Sequence, residues 1–401
     1  MAGIVFDRGI SVMDEPLDLM GAAEMADPGV SARKLHAGPR CVFYPRFQPP
    51  FYIVARYDDV TSILRDPQAY VSGQGQGPNF TAPVGVVSDP PQHTFFRDLV
   101  QPVFLPRSMS GLRPRLVDIA DELLNAVKDR DTWDIHDDLA FPLPVIIICE
   151  IFGIPTRDIE QFKRWSDSSV AALSAQDPSR YVADQMAMSA YIRDLLHARR
   201  QEPDDGGLLW QIARVQRNGA YLSDDEAVGL VLQLFVAGNE TTTSLISNFV
   251  WRFLSIEGLW SQLCEGRIDL DRAINESLRF DPPLLGLFRT TSRDVEIGGT
   301  AVPQGTKIMT HYGAANRDPD VFPDPHVFDP HRQGRKVLSF GLGIHVCLGM
   351  ELARLEARVA LSALVRHFPH LELIDDGERI GPFLFWGRRK LPVRRAEEFR
   401  S

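Results

Sequence analysis

The sequence predicts a mainly α-helical chain with small β-sheets, folded as a single domain over residues 1–401. Three observations predict this class. Long segments carry apolar residues at three- and four-residue spacing, the period of a helix with one buried face. Proline and glycine are scattered as punctuation between those segments, and no Gly/Ser linker, repeat or low-complexity tract divides the chain. Strand patterns are short, as at Asp294-Val295-Glu296-Ile297-Gly298-Gly299, where alternation runs into a turn. The β-rich part is placed at roughly 40–85 and the remainder is helix-rich.

Composition excludes several functions. With 43 Lys and Arg against 53 Asp and Glu, the net charge of −10 argues against general nucleic-acid binding. Cys41, Cys149, Cys264 and Cys347 stand far apart with no C-x-x-C pair, which disfavours a zinc or iron–sulfur site and fits a reducing compartment. Asp7, Arg8, Asp14 and Glu15 occupy the positions where a signal peptide or anchor needs an apolar run. The longest apolar stretch, Val145 to Ile154, is broken by Glu150 and is too short to span a bilayer. A cytoplasmic monomer that does not engage membranes is expected.

In chain order, the first element with chemistry on it is the helix after Asp89-Pro90-Pro91, which sets His93 and Arg97 four residues apart. A long helix is read from Ser223 to about Ser255, opened by the capping-box pair Ser223 and Glu226. It contains Ala237-Gly238-Asn239-Glu240-Thr241-Thr242-Thr243, a locally weak stretch. Threonine hydroxyls there can bond carbonyls four residues back. Leu234, Ala237, Gly238, Thr241 and Leu245 share one face, which has little bulk at its middle. A further helix carries Glu276 and Arg279 one turn apart and ends at Pro282-Pro283.

The most informative segment is Phe340-Gly341-Leu342-Gly343-Ile344-His345-Val346-Cys347-Leu348-Gly349. Its glycines permit positive φ and close backbone approach. The helix after it has Leu348, Leu352, Leu355 and Val359 on one face. A thiolate at 347 would lie near that helix's N-terminus, which favours negative charge. The arrangement suits an anionic sulfur bonded to a metal on a flat, bulky cofactor.

This loop resembles the haem-binding loop of the bacterial cytochrome P450 family, and Ala237-Gly238-Asn239-Glu240-Thr241-Thr242 is similar to that family's oxygen-binding groove. The likeness extends from about Asp7 to Val393. It implies the cytochrome P450 fold, with haem b (iron protoporphyrin IX) held between the long central helix and the Cys347 loop. Cys347 would be the axial thiolate, an arrangement whose push of electron density favours O–O cleavage. Phe340, Gly341, Gly349, Ala237 and Gly238 would lie against the cofactor. His93, Arg97, Arg289 and His345 would meet its propionates, which need cationic donors when buried. Thr241 and Glu240 would be the acid–alcohol pair that governs oxygen binding and proton entry. Glu276, Arg279 and Arg332 would form a buried bracing network behind the loop.

The resemblance implies a monooxygenase that inserts one atom of O2 into a C–H or double bond. A peroxide-driven or non-oxygenase haem-thiolate enzyme, and a haem sensor, are the alternatives. The chain has no flavin or nicotinamide fingerprint, so electrons are expected from a ferredoxin-type partner with a separate NAD(P)H reductase. Arg107, Arg113, Arg115, Arg354 and Arg358 offer a candidate basic docking patch. By family position the substrate pocket draws on Phe80, Val84, Val86, Leu234, Leu284, Leu285, Leu287, Phe383, Leu384 and Phe385. That apolar lining favours a small neutral hydrophobic substrate, terpenoid, aromatic or steroid-like.

Overall fold

A computed structural model describes residues 16–155, 159–204, 206–334, 337–381 and 383–396; the charged positions 7, 8, 14 and 15 lie outside these ranges. The chain is mainly helical, with a five-stranded sheet as its largest β element. Across that sheet the strands run Cys41–Tyr44, Phe51–Val54, Lys307–Thr310, Leu287–Thr291 and Tyr70–Val71. Lys307–Thr310 pairs parallel with Phe51–Val54, and the other neighbours are antiparallel. The β-rich 40–85 segment is therefore only part of a sheet. Its strands stop at Val71, the helix Tyr57–Arg65 interrupts them, and residues 287–310 complete the pairing. Local alternation in 40–85 carried no sign of this distant partner.

The strand-and-turn reading of 294–299 holds. Val295–Ile297 pairs with Thr300–Val302 around Gly298 and Gly299, whose φ values of 56° and 83° fit a tight hairpin turn.

The helix Asp224–Ser255 runs through the main core. Ser223 accepts from the Glu226 N–H while the Glu226 carboxylate accepts from the Ser223 N–H, so the expected capping box is complete. From Leu230 onward the helix is apolar or small on nearly every side, the pattern of a helix buried all round. It packs against the helices Pro142–Phe152, Val182–Gln201 and Met350–His367. The threonine stretch does not break it. The weakness shows instead as hydroxyl bonds: Thr241 Oγ1 donates to the Ala237 carbonyl at 2.9 Å, and Ser247 Oγ to that of Thr243 at 2.8 Å. The helix Met350–His367 also packs on Pro106–Val127. Among the described residues, no helix is long and apolar enough to cross a membrane.

Candidate active site

The Phe340–Gly349 loop is folded by its own backbone. The Cys347 N–H donates to the Phe340 carbonyl at 2.8 Å, and the Val346 N–H to that of Gly343 at 3.1 Å. Gly341 and Gly343 take φ of 66° and 77°. At 343 a Cβ would also collide with the Leu64 carbonyl, so glycine is required on two counts. Gly349 differs from expectation: its φ is −88°, and it starts the helix Met350–His367 as its N-cap. A Cβ at 349 would meet nothing within 4 Å. The glycine keeps a flat surface there rather than an unusual backbone angle.

Cys347 borders a cavity of about 240 Å³. All four cysteines are free thiols. Cys347 is solvent-accessible, yet surrounding protein pushes its thiol above the ordinary range, with the Gly349 N–H and Arg97 opposing that shift. These two observations differ because the accessible surface is cavity wall rather than molecular exterior. The sulfur is an enclosed group.

The central helix lines the same cavity, and all five residues of the low-bulk face, Leu234, Ala237, Gly238, Thr241 and Leu245, border it. With its hydroxyl hydrogen given to Ala237, the Thr241 oxygen keeps its lone pairs. Glu240 is buried on another side of the helix and borders a second, much smaller cavity. Burial, and then the neighbouring Asp167 carboxylate, raise its carboxyl to about 7. Its Oε2 has no hydrogen-bond partner.

At the rim, Arg97, Arg289 and His345 border the main cavity, together with Phe340, Gly341 and Gly349. Arg97 Nη1 donates to the Val346 carbonyl at 2.8 Å, which ties the rim to the cysteine loop. His93 is buried and meets His345 edge-on, ring centroids 4.5 Å apart. Nε2 of each histidine is buried without a partner. Two orphaned ring nitrogens beside two arginines leave donor capacity that a bound anionic group would satisfy.

Behind the loop, Glu276 and Arg279 form a bidentate pair at 2.7 and 2.8 Å, and both are buried. Glu276 Oε1 also accepts from the Asp329 N–H at 2.9 Å and from Arg332 Nε at 3.3 Å. Arg279 spends its other N–H groups on the Asn316, Pro325 and Val327 carbonyls. The trio is assembled as expected, and this pair is not a surface one.

The substrate lining needs correction. Val86, Leu234, Leu284 and Leu287 border the cavity. Phe80 does not: it is 48% exposed at the surface, under Lys307 Nζ at 4.9 Å from its ring. Val84 sits against Gly229 of the central helix instead. Leu285 turns toward Gly313, because neighbouring residues of an extended segment point opposite ways. Phe383, Leu384 and Phe385 are buried in the core behind the five-stranded sheet, with Phe47 and Phe51. Three of the five arginines of the candidate basic patch have side-chain partners. Arg115 pairs with Glu150, Arg358 with Asp271, and Arg354 bonds the Asn275 side chain.

Sequence reasoning missed Gln76, Gln233 and Glu356, which also border the cavity. Gln233 lies one turn before Ala237 on the same face, so the spacing could have revealed it. Glu356 is a carboxyl one turn after Leu352 on an apolar helix face, a signal in itself. It is buried, neither oxygen has a partner of good geometry, and burial raises it to about 8, opposed only by the nearby Thr242 hydroxyl. As pH rises, the unfolded chain loses this proton first while the folded protein retains it up to about 8. Stability contributed by the neutral carboxyl is therefore lost between the ordinary glutamate range and about 8, at up to roughly 1.4 kcal/mol per pH unit. Glu356→Gln is expected to flatten that slope in denaturant titrations across the window; an unaltered slope would assign the decline to other groups.

Comparison with known proteins places this geometry in context. A family model described as cytochrome P450 matches residues 270–381. The putative cytochrome P450 YjiB of Bacillus subtilis (strain 168) is 35% identical, over 80% of this chain and 82% of its own. The 6-deoxyerythronolide B hydroxylase of Saccharopolyspora erythraea is 40% identical, over 77% of this chain and 76% of its own. The crystal structure of CYP109E1 from Bacillus megaterium in complex with testosterone superposes with a TM-score of 0.85. It is 29% identical and covers 93% of this chain and 99% of that one.

Proposed function

The chain belongs to the cytochrome P450 family as a bacterial-type monooxygenase, and from that premise we propose that it is a single haem domain which oxidises a small neutral hydrophobic molecule, by hydroxylation or epoxidation, with Cys347 as the thiolate ligand of haem b. One observation carries this reading. Cys347 and the small residues Ala237, Gly238 and Thr241 line one cavity, which Arg97, Arg289 and His345 also border.

The donor set fits the cofactor. The side-chain-free surface at Gly349 would take a flat ring system, and the orphaned His93 and His345 nitrogens with the two arginines would take its carboxylates. When bound, the haem supplies oxygen activation and atom transfer. The protein's part is to hold the thiolate, exclude bulk water, orient substrate and admit protons. Thr241 offers a hydroxyl on the cavity side of the helix, and Glu240 holds a proton at its buried carboxyl on the other side. Thr241→Ala is expected to let substrate bind while product per electron pair falls roughly tenfold to hundredfold and peroxide rises. Unchanged coupling in a peroxide assay would remove that role.

Val86, Val87, Ile148, Leu234, Leu284 and Leu287 give the cavity an apolar lining. One relative is named as a 6-deoxyerythronolide B hydroxylase and another was solved in complex with testosterone; together with the apolar lining these favour neutral, ring-bearing substrates, and terpenoid, aromatic or steroid-like molecules fit it. Electrons would come from a ferredoxin-type protein with its own NAD(P)H reductase. A panel of terpenes, alkylbenzenes and steroids, titrated into holoprotein, is expected to give a spin-state shift of the Soret band for at least one class. The absence of a shift with every class, in protein whose Cys347 is bound to iron, would overturn the substrate proposal.

A further inference from the structure

Gln76 borders the main cavity, and among the described residues its side-chain amide has no hydrogen-bond partner. Its backbone, by contrast, is pinned. The Gln76 carbonyl accepts from the Phe288 N–H at 2.9 Å. Lys307, only 1% exposed, donates from Nζ to the Gln74 and Gly75 carbonyls at 2.7 Å each. Gly77 lies so near the helix Ile159–Ser174 that a Cβ on it would stand 2.5 Å from the Leu173 carbonyl. The Asp89 carboxylate closes the neck of the loop by accepting from the Ser72 and Gly73 N–H groups at 2.8 Å. The free amide is thus presented from a built wall.

Chemistry separates Gln76 from other polar groups of the cavity. Gln233 gives its Nε2 to the Val84 carbonyl, Thr241 its hydrogen to Ala237, and Ser339 its hydrogen to Leu278. Arg97, Arg289 and His345 are taken by the cofactor carboxylates in the reading above. Gln76 instead lies beside the strand Leu287–Thr291, whose Leu287 belongs to the apolar lining. An amide left unpaired in an apolar enclosure is unfavourable, and it finds a partner in whatever the cavity binds. It offers two N–H donors and one carbonyl acceptor. It therefore matches the oxygen of a neutral ketone or alcohol and gives a hydrocarbon nothing.

We propose that Gln76 is a specificity-determining residue that hydrogen-bonds an oxygen of the substrate, and that the substrate is an already oxygenated ring compound, a ketone or an alcohol, rather than a hydrocarbon. This rests on the oxidation proposed above for the same cavity. Anchored at that oxygen, the substrate presents a fixed set of its carbons to the reacting centre. A hydrocarbon of the same shape would strip the amide of water and return no bond, a penalty that an entirely apolar pocket would not impose. Of the classes that fit the lining, oxygenated terpenoids and steroids are selected, and alkylbenzenes are not.

Equilibrium binding to the haem-loaded protein, read from the Soret band without turnover, tests this with matched skeletons: menthone and menthol against p-menthane, and testosterone against androstane. In the wild type the oxygenated member of a pair should bind more tightly than its hydrocarbon. Gln76→Met, close in size and without the amide, should weaken the oxygenated member about tenfold, roughly the net worth of one hydrogen bond, and leave the hydrocarbon unweakened. Gln76→Asn, with the amide on a shorter stem, should keep part of the preference. Gln76→Leu repeats the measurement should Gln76→Met fold poorly. Equal losses for both members of a pair, or no loss for either, overturn the anchor. Reduced haem retention in Gln76→Met with an unaltered preference would assign the amide to the cofactor, which also overturns it. Pairs that bind the wild type without preference refute this inference and leave the oxidation reading standing. Binding by no member of any pair refutes the substrate reading on which it depends.

Discussion

Cys347→Ser is expected to give protein that retains its fold but has lost the red-shifted absorption band of the reduced carbon monoxide complex. Monooxygenase activity should fall by more than the roughly 100-fold typical of altering a group that merely orients a metal ligand. The backbone explains why the fold should survive. The loop is set by the Cys347 N–H bond to Phe340 and by the left-handed turns at Gly341 and Gly343, none of which involves the sulfur. Serine replaces a polarisable thiolate with a hydroxyl that remains protonated under these conditions, so electron donation along that axis is lost. Spectra of the reduced, carbon monoxide-bound variant settle the matter: a band that stays red-shifted as in the wild type would assign the ligand to another residue.

Glu276→Ala is expected to cost about 3–5 kcal/mol, the range for breaking a buried pair by removing one partner. Arg279 would keep its three carbonyl contacts but lose its counter-charge at 1% side-chain exposure. The Asp329 N–H would lose its acceptor as well, so the 323–332 segment would loosen with it. Thermal melts should show the loss, and haem content per chain should drop because the segment backs the cysteine loop. Glu276→Gln keeps acceptor atoms without the charge and should fall between the two. Wild-type melting and haem content in the alanine variant would deny the trio any bracing role.

The features most legible in the sequence were those whose cause is local. The Ser223–Glu226 cap, the helix to Ser255 and its low-bulk face follow from spacing and propensity, and the structure forms all three. The glycine turns at 341 and 343 are equally local. What escaped depends on direction or on partners far away in the chain. Leu284 and Leu285 are identical in type, yet only Leu284 borders the cavity. Phe383 to Phe385 read as pocket wall but fill the core beside Phe47, a contact across more than 300 positions. Asp167 carried no motif; only the tertiary fold sets it beside Glu240.

The five-stranded sheet has a consequence for biosynthesis. Ile308 lies beside Tyr52, so the innermost ribbon of the sheet is translated about 250 positions after the neighbour it joins. A nascent chain emerging from the ribosome would leave the edge at Phe51–Val54 uncapped until residue 310 is clear, the kind of delayed closure that slows maturation and invites unwanted association. Haem capture through Cys347, as proposed, would come later still, since that cysteine is synthesised after the ribbon.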